Sequence, residues 1–301
     1  MAEPAIALEE RAVRERVRAF YDAVGWSQIG EGVYQNARHE DLRPVAREYI
    51  HRCHLRVGRA LPPAGRLLLD AGSGPVQYPE YLEYSRGYVR RVCLDISRTA
   101  LREARARLGS HAACVVGDLA ALPFHAGAFE AVVSLHAIHH LPPDGQEGAF
   151  RQLARVLAPG GAAAVVYSWG AHSPAMRLMG MPVRLAFALQ RRVRRLRGRP
   201  GEAAAPTPVE AGGSGTYSHK HTYAWIRRRL GDLPGLEIRV WRSVSTAFLR
   251  AFIHRRLWGA LWLRLIYSLE QAAPRRMGRV GQYPLIVFRK PAAPAAAGEP
   301  R

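Results

Sequence analysis

The sequence predicts an α/β chain built on a doubly wound, mostly parallel sheet with helices on both faces. Between Arg66 and Ser168, short aliphatic runs alternate with amphipathic stretches. The runs lack polar alternation, as strands covered on both faces do. The first run, Leu67-Leu68-Leu69-Asp70, ends in an acid and a glycine turn, and the last follows Ala158-Pro159-Gly160-Gly161, a turn no helix continues through.

Taken in order, Ala7 to Val24 has the spacing of an amphipathic helix, and the aromatic, polar stretch Trp26 to Tyr34 reads as part of a cap. Strands are expected at Arg66 to Asp70, Tyr88 to Asp95, Ala112 to Val116, Phe129 to Leu135 and Gly161 to Ser168. Ser97 is placed to cap a helix running to Leu108, because its hydroxyl accepts an orphan amide of the first turn. A second helix runs from near Asp144 to near Val156. Ser173-Pro174 opens a Met- and Leu-rich helix that turns basic at Arg191 to Arg199, and Pro200 to Gly215, rich in Ala, Pro and Gly, is expected to be mobile. Thr222 caps a short helix ending at Leu230, and two further strands are expected at Leu236 to Val244 and Pro284 to Arg289. The resulting division is a helical cap over 1–60, a ligand-binding core over 61–170, a helical insertion and linker over 171–235, completion of the sheet with an amphipathic helix over 236–290, and a disordered tail over 291–301.

With 301 residues, 48% of them hydrophobic, one substantial core is affordable. The three cysteines, Cys53, Cys93 and Cys114, are too few for a disulfide framework and fit a reducing cytoplasm. His51, Cys53 and His54 fall on a helix face, so no metal is expected. Met1 to Arg14 lacks the apolar run of a secretory signal, and no segment has a clean membrane-spanning length. The net charge of +20 suits an anionic partner. The only lysines are Lys220 and Lys290, however, so the basicity is nearly all arginine and also fits a compositional bias.

The sharpest chemical feature is the turn Asp70-Ala71-Gly72-Ser73-Gly74-Pro75. Gly72 and Gly74 let the backbone approach a ligand, and amides at a following helix start would offer donors. Asp95 closes the second strand, at the distance that places an acid on a bound ribose. A dinucleotide fingerprint needs a third glycine where Gln77 stands, so a pyrophosphate ligand is not expected.

Four stretches then occur in order: Asp70 to Gly74, Asp95, Gly117-Asp118-Leu119-Ala120-Ala121-Leu122-Pro123-Phe124, and Leu153 to Gly161. With these the chain resembles the class I S-adenosylmethionine-dependent methyltransferases, particularly the group that includes the ubiquinone and menaquinone biosynthesis enzymes. The resemblance implies a Rossmann-like, seven-stranded sheet with an antiparallel last strand, and S-adenosylmethionine as cofactor. It places Gly72 and Gly74 at the methionine end, Asp70 near its ammonium, Asp95 with Ile96 at the ribose, Asp118 and Leu119 at the adenine, and Ser134 and Leu135 on the floor. Phe20-Tyr21-Asp22 is similar to a pair that opens many members, where the aromatic closes over the cofactor; a core role for Tyr21 is equally open.

Methyl transfer from a sulfonium needs alignment and exclusion of water, and a base only for some acceptors. His136, His219 and His221 are the candidate bases, with His136 favoured by its place after the fourth strand. His139 and His140 are read as orienting that loop. Phe248 to Ile266 carries a wide apolar stripe with arginines between, which suits either a helix on the sheet or a helix at an anionic membrane surface. The expected acceptor is a small apolar molecule, lipid- or quinone-like, methylated at O, C or N. Peripheral membrane contact through 246–270 would place the protein at the inner face of a membrane. Nucleic acid is not expected as partner; methylation of RNA or protein and non-catalytic cofactor binding are the alternatives.

Overall fold

The computed structural model describes residues 3–26, 28–30, 33–35, 40–196 and 216–292. Seven strands form the main sheet: β1 (Gly65–Ala71), β2 (Tyr88–Asp95), β3 (Ala112–Val116), β4 (Phe129–Leu135), β5 (Leu157–Val166), β6 (Glu237–Arg242) and β7 (Tyr283–Arg289). Their spatial order is β3-β2-β1-β4-β5-β7-β6. Strands β1 to β5 pair in parallel, whereas β7 runs antiparallel to both β5 and β6. This is the Rossmann-like sheet expected from the resemblance, with its order reversing between β1 and β4. Ligands of such sheets bind outside the carboxyl ends of the strands at that reversal.

Successive β4 residues point to opposite faces, as the two-residue period of a strand requires. Ala131 and Val133 pack with α2 (Pro44–Leu55), α8 (Thr246–Phe252) and α9 (Gly259–Ala272) through Ile50, Cys53, Leu249 and Leu263. Val132 packs on the other side with α5 (Pro143–Val156) and α7 (Tyr223–Arg229) through Phe150, Leu153 and Ile226. Ser97 and Thr222 cap their helices as expected, accepting from the amides of Ala100 and Trp225. At the amino end, α1 (Glu3–Phe20) passes into a π-helical turn at Tyr21–Gly25.

Three expectations about elements are corrected. No helix follows the glycine turn directly: Val76 has a left-handed φ of 52°, and α3 starts only at Pro79, spanning Pro79–Glu83. The Ala158 to Gly161 turn is the irregular first part of β5, with Gly160 at φ 79° and the register against β4 shifted. The stripe from 248 to 266 is not one helix. It breaks at Ile253 and at Trp258, whose φ of 55° reverses the chain between a 3₁₀ turn at Arg255–Leu257 and α9. Most of the basic run Arg191 to Arg199 lies in α6 (Pro174–Leu196), while the stretch expected to be mobile and residues 293–301 lie outside the described residues. No helix among the described residues is long and apolar enough to cross a membrane.

Candidate functional site

The site grows from the carboxyl ends of β1 and β2. Gly72 and Gly74 have φ of 73° and 53°, the left-handed region that favours glycine. A Cβ on Gly72 would lie 2.4 Å from that of Ala137, and one on Gly74 would lie 3.0 Å from the Trp26 indole. The turn's amides are engaged internally: Gly72 and Ser73 donate to the Leu94 carbonyl, and Gly74 donates to Oδ2 of Asp95 at 2.9 Å. What the glycines supply is therefore room and a fixed path, not the free helix amides the sequence implied.

Asp95 also accepts from the Ser97 amide at 2.8 Å, and it keeps part of its surface open to solvent although protein surrounds it closely. Burial, against the two amide hydrogen bonds, pushes its carboxyl up to about 6, and Asp70 and Asp22 add to the rise. Each oxygen has spare lone pairs, so the group retains capacity for two further donors. Ile96 follows it, half-buried. Asp70, placed near a ligand ammonium by the resemblance, is 1% exposed, and its Oδ2 is taken by buried Arg91, with the Nε contact at 3.1 Å. That pairing leaves only Oδ1 for a ligand, a partner the sequence did not reveal because Arg91 comes from the neighbouring strand.

The amino-terminal segment closes over this turn. Trp26 lies on Gly74 and stacks on Tyr21 with ring centroids 5.1 Å apart. The Tyr21 hydroxyl donates to Nε2 of His140 at 2.9 Å, while Nδ1 of His140 donates to the Tyr217 carbonyl at 2.7 Å. Burial and Asp95 push the Tyr21 phenol well above its usual range. Ser97 Oγ donates to Asp22 at 2.6 Å, and Arg14 pairs with Asp118 at 3.1 Å. Asp22 and Trp26 are the site-forming residues that sequence reasoning left unassigned. Asp22 stood in the Phe20-Tyr21-Asp22 string and Trp26 at the head of the stretch read as a cap, but neither was given a role of its own.

Beyond β3, Asp118 accepts from the Ala120 amide, and Leu119 is buried among Leu94, Leu122 and Ile138. Ser134, at the end of β4, is fully buried, and its hydroxyl has no hydrogen-bond partner among the described residues; Leu135 beside it is half-buried. His136 follows with a φ of 56°. Its ring meets those of Trp241 and Tyr283 at 5.0 and 5.5 Å, joining the ends of β4 and β6 to the start of β7. Burial and the nearby Arg242 push the His136 imidazole down to about 3, so it is neutral and a weak proton acceptor.

Arg242 is buried and held by Glu40. Burial opposes the Glu40 charge, but Arg242 and His54 hold it well below the usual carboxylate range. Burial likewise opposes protonation of His54, yet the neighbouring carboxylates of Glu40 and Glu80 prevail and raise its basicity. Cys53 and His51 do not join it in a metal set, and no such cluster occurs among the described residues. His219 and His221 lie on a docked segment: the His219 amide donates to His139, its carbonyl accepts from Gln146, and the His221 amide donates to the Tyr167 hydroxyl. This places residues 217–221 against the loop after β4, so both histidines are held at that loop.

Residues 69–165 match the family described as a methyltransferase domain, a stretch that includes the glycine turn, Asp95, Asp118 and Ser134. The core is a class I methyltransferase domain. The resemblance of its ordered stretches implies S-adenosylmethionine as cofactor. Among curated proteins, this methyltransferase domain is similar to the tRNA (carboxymethyluridine(34)-5-O)-methyltransferase alkbh8 of Xenopus tropicalis, 29% identical over 146 residues. The match covers 42% of this chain and 22% of the relative's length. Among solved structures, phosphoethanolamine N-methyltransferase 1 of Haemonchus contortus, in complex with phosphoethanolamine and S-adenosylhomocysteine, shares the fold. It aligns at a TM-score of 0.57 and 12% identity over 96% of this chain and 52% of that one.

The residues of this methyltransferase domain fit the cofactor on three counts. The Gly72 and Gly74 positions are closed to any larger side chain, Asp95 retains acceptor capacity at the strand end, and the buried Ser134 hydroxyl lacks a hydrogen-bond partner among the described residues.

Proposed function

We propose that the chain methylates a small, apolar acceptor, lipid- or quinone-like, at an oxygen, carbon or nitrogen atom. The observation that carries this reading is the aromatic cluster at the strand ends next to Ser134 and Leu135, in which half-buried His136 and Tyr283 lie against buried Trp241 and offer ring surface to an apolar, planar acceptor. The four ordered stretches extend the reading to the ubiquinone and menaquinone group, in a cytoplasmic protein that works at a membrane's inner face.

In this reading Asp95 and Ile96 hold the ribose, Gly72, Gly74 and Asp70 border the methionine part, Asp118 and Leu119 face the adenine, and Ser134 with Leu135 form the floor. The cofactor supplies an electrophilic methyl group. Tyr21 and Trp26 cover the turn and keep water from it. Where the acceptor is a hydroxyl, we assign proton acceptance to His219 or His221 in preference to His136. Both stand on the segment docked at the loop after β4, whereas burial and the nearby Arg242 make His136 a weak proton acceptor.

A nucleic-acid acceptor is the second reading. It is favoured by the similarity to a tRNA methyltransferase and by the net charge of +20. The test is incubation of the purified chain with methyl-labelled S-adenosylmethionine and fractionated cell extract. Label in an organic-soluble small molecule is the expected result. Label confined to RNA would establish the second reading instead, and retained cofactor without a labelled product in any fraction would contradict both.

A further inference from the structure

Of the 17 large apolar residues exposed among the described residues, 12 lie in just two segments, α6 and residues 257–269. Along α6, Leu178, Met181, Leu185 and Leu189 follow one another at helical spacing on one face, with Leu196 at the end, and their exposure runs from 63 to 78%. In the second segment, Trp258 is 75% exposed, and Leu261, Trp262, Leu265 and Leu269 continue the stripe along the outer side of α9. The inner side of α9 is already satisfied: Leu263 is in the core, and Glu270 receives Tyr49, Arg56 and the Ser243 amide. The apolar stripe of α9 is thus additional to the face that packs on the protein.

The two segments flank α8. Gln190 of α6 donates to the Ala251 carbonyl and contacts His254, just ahead of the 3₁₀ turn that presents Leu257. Trp258 is held outward on a left-handed backbone that bulky residues rarely adopt. Charge surrounds both stripes. Residues 174–196 contain six arginines and residues 246–269 contain four, and neither stretch contains an aspartate or glutamate. Residues 197–215 carry Val209 as their sole large aliphatic side chain and residues 293–301 carry none, so neither stretch suits the role of cover. A second copy would set arginine-rich faces against each other.

We infer that α6 and residues 257–269 form a docking surface for an anionic phospholipid bilayer. The leucines and tryptophans enter the interface, and the arginines between them meet lipid phosphates. The surface extends the contact expected for 246–270 by a second helix. It stands apart from the methyl-transfer reading, since vesicle binding and cofactor binding are measured separately.

The test is flotation of the full chain with vesicles of phosphatidylcholine alone or mixed with phosphatidylglycerol, together with the tryptophan emission spectrum. The mixed vesicles are expected to bind at least about tenfold more tightly, with blue-shifted emission and weakening as salt rises. The W258S/W262S and L185S/L189S pairs are each expected to lower that binding by about tenfold or more. These side chains are exposed, so the variants should keep the wild-type circular dichroism and melting temperature. No binding to anionic vesicles at low salt would overturn the proposal, as would binding unchanged in both folded variants. A concentration-dependent dimer in light scattering that both variants abolish would overturn it in favour of a second copy.

Discussion

At the residue scale, Asp95 couples the fold to the site. Its folded pKa of about 6 lies above the value of about 3.9 for an unfolded aspartate. The folded protein therefore holds the extra proton between those values, and the resulting stabilisation is complete below about pH 4 and is lost as pH rises through 6. Asp95→Asn should raise the stability of the cofactor-free protein by on the order of 1–2 kcal/mol above pH 7, allowing for partial exposure, and by little near pH 4. Thermal melts across that range check this. In the proposed site ribose hydroxyls donate to the ionised carboxylate, so cofactor affinity should change in the opposite sense and weaken as pH falls below about 6, which calorimetry would read. His136→Asn should lower turnover by less than about tenfold, whereas loss of a working base typically costs two to four powers of ten. A loss of that larger size, with cofactor affinity intact, would return the base role to His136. Asp95 was legible because a strand-end acid after an aliphatic run is a local pattern. The weakness of His136 as a base was not, because burial and Arg242, more than a hundred residues away in sequence, set it.

At the scale of elements, the strands were read closely because their apolar runs are continuous: β2, β3 and β4 begin and end where the sequence placed them. The break at Trp258 escaped that reading, since the apolar spacing runs across it and only the backbone at one residue reverses the chain. The Asp70 to Arg91 pair joins β1 to β2 inside the protein, and Arg91 also donates to the Tyr81 carbonyl. Removing one partner of a buried pair leaves an uncompensated charge. Arg91→Ala should therefore cost about 3–5 kcal/mol of stability in urea unfolding, and a loss below 1 kcal/mol would show that the pair carries little. The clasp between Asp22 and Ser97 belongs to the covering of the turn, and Asp22→Ala should speed cofactor release in stopped-flow measurements while leaving the main unfolding transition nearly in place.

At the scale of the whole molecule, an open sheet whose order reverses between β1 and β4 gathers the ends of four strands on one edge, and Asp70, Asp95, Asp118 and Ser134 all stand there. The carboxyl-end cluster of His136, Trp241 and Tyr283 joins them only through the antiparallel return of β7 after β6, so the proposed acceptor side depends on the last part of the chain. The central claim is that this edge holds S-adenosylmethionine through Asp95. The most direct measurement is titration calorimetry of the full chain with S-adenosylmethionine, repeated with Asp95→Ala and with a nicotinamide dinucleotide. Saturable binding of S-adenosylmethionine is expected, weakened by about 1.5–3 kcal/mol in the variant through loss of charge-assisted hydrogen bonds, with no binding of the dinucleotide. Unchanged affinity in a folded Asp95→Ala protein, or tight binding of the dinucleotide in place of S-adenosylmethionine, would contradict it.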